Sequence, residues 1–176
     1  MANGKSYTKK GDDGTTCLGS GARKEKSHEL LEAGGCLDEL SSIIGEARSG
    51  TGKEEAELAS IQRDLFEAGS IISGAWKVEK ASVFEEKLIL LEKSIDEMDE
   101  KLPELKHFIL EGGTPFAARL HMARAVTRRA ERRVQALGMK EFSPILKYLN
   151  RLSSYFFARA RFENMKAGVK EEEWKG

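Results

Sequence analysis

Apolar residues return at helical spacing through five long stretches of this chain, and only three prolines interrupt its 176 residues. Such a period puts one apolar stripe on each segment, and five stripes of that kind can bury one another. The first stretch carries Leu30, Leu37, Leu40, Ile44 and Ala47 and stops near Gly50-Thr51-Gly52. The second holds Leu58, Ile61, Leu65, Ala68 and Ile72. The third holds Leu88, Leu91, Ile95, Met98 and Leu102 and ends before Pro103, because a residue ahead of proline resists the α conformation. Thr114-Pro115 reads as an N-cap followed by a first-turn proline, and Gly138 as the residue that closes that fourth helix. Ser143-Pro144 repeats the start signal for a fifth helix through Tyr148, Leu152, Tyr155 and Phe156. Short connections place neighbours antiparallel, so the expectation is an all-α five-helix bundle. Residues 1–176 form one domain in this reading, with the bundle over 28–170. The tail Lys170-Glu171-Glu172-Glu173 reads as a frayed, solvated helix end.

Charge and cysteine usage narrow the function. Lys plus Arg and Asp plus Glu number 29 each, so no global field draws the chain to nucleic acid or to an anionic membrane. Cys17 and Cys36 form neither a CxxC pair nor a disulfide framework, which suits a reducing cytoplasm. The N-terminus has no apolar core of a signal peptide, and no apolar run approaches the ~20 residues needed to span a bilayer. A cytoplasmic protein is expected.

Residues 1–27 differ from the rest. The run Gly11-Asp12-Asp13-Gly14-Thr15-Thr16-Cys17-Leu18-Gly19-Ser20-Gly21 has no helical period. Glycines let backbone N–H groups converge on an anion, and Thr15, Thr16 and Ser20 add hydroxyl donors. Lys9, Lys10, Lys24 and Lys26 supply positive charge. Neither GxxxxGK[ST] nor a GxGxxG opening a helix after a strand is present, so a flexible leader and a phosphate-binding loop both remain open.

The fourth helix adds arginines. At about 100° per residue, Arg124, Arg128, Glu131 and Arg132 share about 100° of arc, while Arg129 and Arg133 point elsewhere. Three guanidiniums on one face repel unless an anion sits among them, and arginine forks match phosphate oxygens bidentately. Pairs along the helix, or acids on a neighbouring subunit, would satisfy the same charges. Asn150 fits a packing amide or a ligand contact, and Asp38 among core leucines fits an ion pair within the chain or across an interface. Glu25-x-x-His28 and Glu104-x-x-His107 have the spacing of di-iron carboxylate bundles, but neither lies mid-helix, so no metal site of the protein's own is assigned.

Four segments in order resemble the PduO-type ATP:cob(I)alamin adenosyltransferases. They are Tyr7-Thr8-Lys9-Lys10-Gly11-Asp12-Asp13-Gly14-Thr15-Thr16; Glu32-Ala-Gly-Gly-Cys-Leu-Asp38-Glu39-Leu40-Ser41 with Lys26 ahead of it; Arg124-Ala-Val-Thr-Arg128-Arg129-Ala-Glu131-Arg132-Arg133; and Leu149-Asn150-Arg151-Leu152-Ser153. The resemblance implies a homotrimer with each active site between two subunits. It implies ATP on Thr8, Lys9, Lys10, Gly11, Thr16, Lys26, Arg128, Glu131, Arg132 and Asn150, with Mg²⁺ on the triphosphate. It also implies an Asp38–Arg124 pair across the interface and Phe108 beside the corrin ring of cobalamin. Arg128, Arg124, Asp38 and Lys26 are the residues it ties to catalysis. Two positions depart from the family pattern: Ser154 stands where an Asp is common, and Glu111 where a Pro is common.

The implied reaction is attack by Co(I) of cob(I)alamin on C5′ of ATP, expelling triphosphate. Co(I) is itself the nucleophile, which accounts for the lack of a Ser-His or Cys-His arrangement. A reductase or a cobalamin-dependent mutase would then be a protein partner. The alternative from another class is a helical sensor or chaperone that binds ATP or adenosylcobalamin without turnover. Nucleic-acid binding through the Arg-rich helix is disfavoured by the neutral net charge and the lack of interleaved aromatics.

Overall fold

The computed structural model describes residues 7–50 and 55–175. Five helices dominate: α1 (Glu29–Ser49), α2 (Ala56–Ile72), α3 (Val83–Asp99), α4 (Pro115–Ala136) and α5 (Ser143–Lys166). The expected all-α bundle is what the chain forms. His28 caps α1, its Nδ1 accepting the Leu30 N–H at 3.2 Å, and Glu29 and Glu32 complement the positive end of the helix dipole. Gly50 closes α1; Thr51 and Gly52, also expected at that stop, lie outside the described residues. Thr114 caps α4 through Ala117 N–H at 3.1 Å, with Pro115 next, and Gly138 at φ 66° provides the left-handed exit that favours glycine. The start of α5 differs from expectation by one residue. A 3₁₀ turn over Lys140–Phe142 runs straight into it, so Ser143 is already helical and caps nothing.

α5 lies between α3 and α4, while α1 packs on α4 and on α2. That central position explains the broad buried face of α5: Tyr148, Leu149, Leu152, Tyr155 and Phe156 are each at most 1% exposed. The Phe84 ring meets Tyr148 edge-on at 5.1 Å. Cutting a side chain such as Leu149 to Ala would cost about 2–5 kcal/mol, the range for opening a cavity in a packed core.

The chain ends hold one choice that the sequence left open and one expectation that is corrected. The glycine-rich segment is not structureless: β1 (Thr15–Cys17) pairs antiparallel with β2 (Arg23–Glu25), Cys17 opposite Arg23. Leu18 N–H donates to Ala22 O at 2.8 Å and Gly21 turns at φ 85°, so glycine serves the turn while Thr15 and Thr16 supply β-compatible side chains. The tail is not a frayed helix end. Gly168 at φ 68° ends α5, and the chain doubles back so that β4 (Glu173–Trp174) pairs with β3 (Phe108–Ile109). Glu171 is tied to Arg161 at 2.8 Å, and Glu172 O accepts Leu110 N–H at 2.8 Å. Both ends therefore brace loops at the bundle's margins.

Candidate active site

The arginines of α4 divide by partner as their angles predict. On the side facing α1, Arg119 pairs with Glu46 at 2.9 Å, Arg129 with Glu39, and Arg133 with Glu32 at 3.3 Å. In the other arc, Arg128 and Arg132 are exposed and, among the described residues, have no hydrogen-bond or ion-pair partner. Between them Glu131 accepts a hydrogen bond from Asn150 Nδ2 on α5 at 3.0 Å. The one carboxylate in this arc is thus partly occupied, and two guanidinium forks stand ready for an anion.

One turn earlier, Arg124 is held on two sides. Its Nη1 lies 2.6 Å from Glu111, and its guanidinium stands 5.4 Å from the centre of the Phe157 ring. Arg124 and Arg128 share a cavity of about 770 Å³ with Phe108, Glu111, Ser154, Phe157 and Trp174. Phe108, at 80% exposure, lies along one wall, so the cavity is open, aromatic and cationic. A larger groove of about 950 Å³ near Trp76 and Lys80 contains none of the residues singled out by sequence.

The N-terminal residues form a second centre. Asp13 organises it: its Oδ1 accepts the Thr15 N–H at 3.0 Å and its Oδ2 pairs with Arg23 at 3.2 Å. The Thr15 hydrogen bonds, then Arg23, hold its carboxyl below the usual range. Arg23 also donates to Lys10 O at 2.8 Å, pulling the leader onto the hairpin. Lys9 takes a left-handed φ of 58°, and Thr8 Oγ1 accepts the Lys10 N–H at 3.4 Å. Gly11 lies under Lys26: a side chain there would meet Thr15 O at 2.9 Å and Lys26 Cε at 3.4 Å. Lys26 N–H donates to Gly14 O at 2.9 Å, while its exposed side chain lies over Gly11. Thr16 is half-buried on β1.

Sequence reading missed Asp13 and Arg23 as organisers of this loop. The Asp-x-Thr spacing of an Asx turn was the available signal for the first. Nothing local marked Arg23.

Within one chain the two centres are not joined by a polar contact: among the described residues, no hydrogen bond or ion pair joins residues 8–26 to α4 or α5. Asp38 is exposed on α1, and it lines a pocket of about 340 Å³ with Cys17, Gly19 and Phe66. Its carboxylate has no partner among the described residues, so the in-chain pairing with an arginine does not form. Of the metal-spaced histidines, His28 is a helix cap and His107 is exposed in the loop before β3.

Residues 6–163 match the family model described as cobalamin adenosyltransferase. The chain is 44% identical over 178 residues to the corrinoid adenosyltransferase of Bacillus subtilis, covering 97% of this chain and 92% of that one. It is 41% identical over 180 residues to the Homo sapiens corrinoid adenosyltransferase, covering 96% of this chain and 72% of that one. Among solved structures, a variant PduO-type ATP:corrinoid adenosyltransferase from Lactobacillus reuteri complexed with cobalamin and ATP superposes with a TM-score of 0.87. Its identity is 34%, and 98% of this chain and 97% of that one are covered.

Proposed function

This chain belongs to the cobalamin adenosyltransferase family, and from that premise we propose how its residues move the 5′-deoxyadenosyl group of ATP onto the Co(I) of cob(I)alamin. It is a transferase whose substrates are ATP and the corrinoid. The observation that carries the assignment of residues is the unpartnered pair Arg128 and Arg132 beside an open aromatic cavity. Triphosphate leaves with negative charge, and preorganised cations at that point stabilise the transition state without a proton transfer. Arg128 touches both the cavity and the free arginine arc, so it lies where C5′ would meet the corrinoid. Asn150 and Glu131 hold each other and offer amide and carboxylate contacts to the nucleotide. Phe108, Phe157 and Trp174 supply apolar surface against the corrin face.

Lys26, Lys9, Lys10, Thr8, Gly11 and Thr16 are assigned to the same ATP from a neighbouring subunit. The lack, among the described residues, of a polar contact between the two centres supports this, as does Asp38, whose free carboxylate is available to Arg124 of another copy. A closed ring of such heterologous contacts is the proposed homotrimer. Mg²⁺ would arrive on the triphosphate: among the described residues no cluster of three His, Cys, Asp or Glu is placed to hold a metal, and the cationic arc suits a nucleotide that carries its own ion.

Among the described residues no helix is long and apolar enough to cross a membrane, and the free thiols Cys17 and Cys36 accord with the proposed cytoplasmic site, where a reductase would supply Co(I). The test is spectroscopic. Chemically reduced cob(I)alamin, ATP and Mg²⁺ should give the light-sensitive Co–C bond and one triphosphate per turnover only with protein present. ATP binding without Co–C bond formation would overturn the reaction and leave a nucleotide-binding protein.

A further inference from the structure

We propose that Glu111 is a positioning residue of the adenosyl-transfer site, clamping the loop that carries Phe108 to α4 through Arg124. This rests on the transfer reading above. Besides the Arg161 hydrogen bond to Pro103 O at 2.8 Å, the loop between α3 and α4 is held at its base and at its outer edge. At its base, the buried Asn164 accepts the Thr114 N–H and donates to Gly112 O, each at 3.0 Å. Gly113 there takes φ 102°, and a side chain would collide with the Asn164 amide at 2.2 Å, so the base is fixed. At its outer edge, Phe108 pairs with Trp174 in the short β3–β4 sheet.

None of these anchors reaches across the cavity. Glu111 does: among the described residues of segment 104–113 its side chain alone makes an ion pair or hydrogen bond to α4. The same contact keeps the Arg124 guanidinium beside the Phe157 ring rather than free in solvent. One carboxylate therefore sets both the distance of the loop from α4 and the direction of a cavity cation. Its own side chain is 53% exposed and that of Arg124 29%, so the pair contributes little to overall stability. Its effect belongs to the shape of the cavity.

The test uses E111Q and E111D in the full chain, with a W76F background so that Trp174 is the sole tryptophan emitter. E111Q should raise KM for cob(I)alamin about fivefold, the size of one half-solvated ion pair, while Kd for ATP and kcat at saturating corrinoid hold. E111D, which keeps the charge on a shorter arm, should recover part of that loss. Trp174 emission should shift in E111Q because its strand moves with the loop. An unchanged corrinoid KM, or equal rises in KM for both substrates, would overturn the clamp. Absence of wild-type turnover would overturn the transfer reading instead; the clamp is then judged on Trp174 emission, and an unshifted E111Q spectrum sinks it.

Discussion

Arg159 and Arg128 are both helical arginines, on adjacent helices, and they live opposite lives. Arg159 meets Glu163 at 2.9 Å, Glu55 at 3.0 Å and Glu57 at 3.2 Å, with its side chain only 17% exposed. Arg128 is exposed at the cavity rim and has no partner among the described residues. A saturated arginine fastens α2 to α5, because each of its three nitrogens donates to a protein carboxylate. An unsaturated one costs little in water and keeps its donors for an anion. Charge alone does not separate these roles; partner count does.

The sharpest way to break the comparison is to truncate each. Arg128→Ala should lower kcat/KM about 10²–10³-fold, the loss expected for one donor aimed at developing charge. It should leave the urea midpoint nearly unmoved, as for an ordinary surface change. Arg159→Ala should do the reverse. Glu55 and Glu57 would be left without their cation while Glu163 keeps Lys166 at 3.1 Å, at a cost of about 2–4 kcal/mol in chemical denaturation, with kcat/KM of the folded fraction largely kept. Equal losses in both assays for both variants would erase the distinction. Lys26→Ala sharpens it from the other centre: about tenfold weaker ATP binding by calorimetry, with stability intact. Unaltered ATP affinity would make Lys26 a surface charge.

Much of this division was legible in the chain. A 100° step assigns Arg129 and Arg133 to one side of α4 and Arg128 and Arg132 to the other, and the α1 carboxylates Glu39 and Glu32 complete the first set. The caps of α4 were legible because Thr114-Pro115 and Gly138 act within one turn. What failed was non-local. Glu111 and Arg124 are brought together by a loop whose path no periodicity encodes. The tail read as solvated because its side chains are charged, yet backbone groups decide its pairing with β3. The hairpin escaped notice because its five-residue turn lacks the Asn-Gly signal of tighter ones. Phe108 was singled out by family resemblance alone, and nothing in the spacing of residue 108 marks it or its place in one cavity with Arg124 and Arg128.

The smallest effect concerns a third kind of unpartnered group, one that is buried. His121 is 5% exposed, its Nδ1 has no hydrogen-bond partner, and its ring meets Phe157 edge-on at 6.1 Å behind the cavity. Burial pushes its pKa below the usual 6.5; the facing Glu111 and Glu171 pull it up and Arg124 pushes it down. The unfolded chain therefore takes up this proton near pH 6.5 while the folded chain refuses it until lower pH. Stability from this group is fully present above 6.5 and is lost as pH falls toward the folded value, at no more than about 1.4 kcal/mol per pH unit. Urea midpoints of wild type should drop between pH 7.5 and 5.5, and His121→Phe should remove that part of the slope. A variant as pH-sensitive as wild type would place the proton elsewhere. An exposed unpartnered cation thus waits for a ligand, whereas a buried unpartnered imidazole stays neutral.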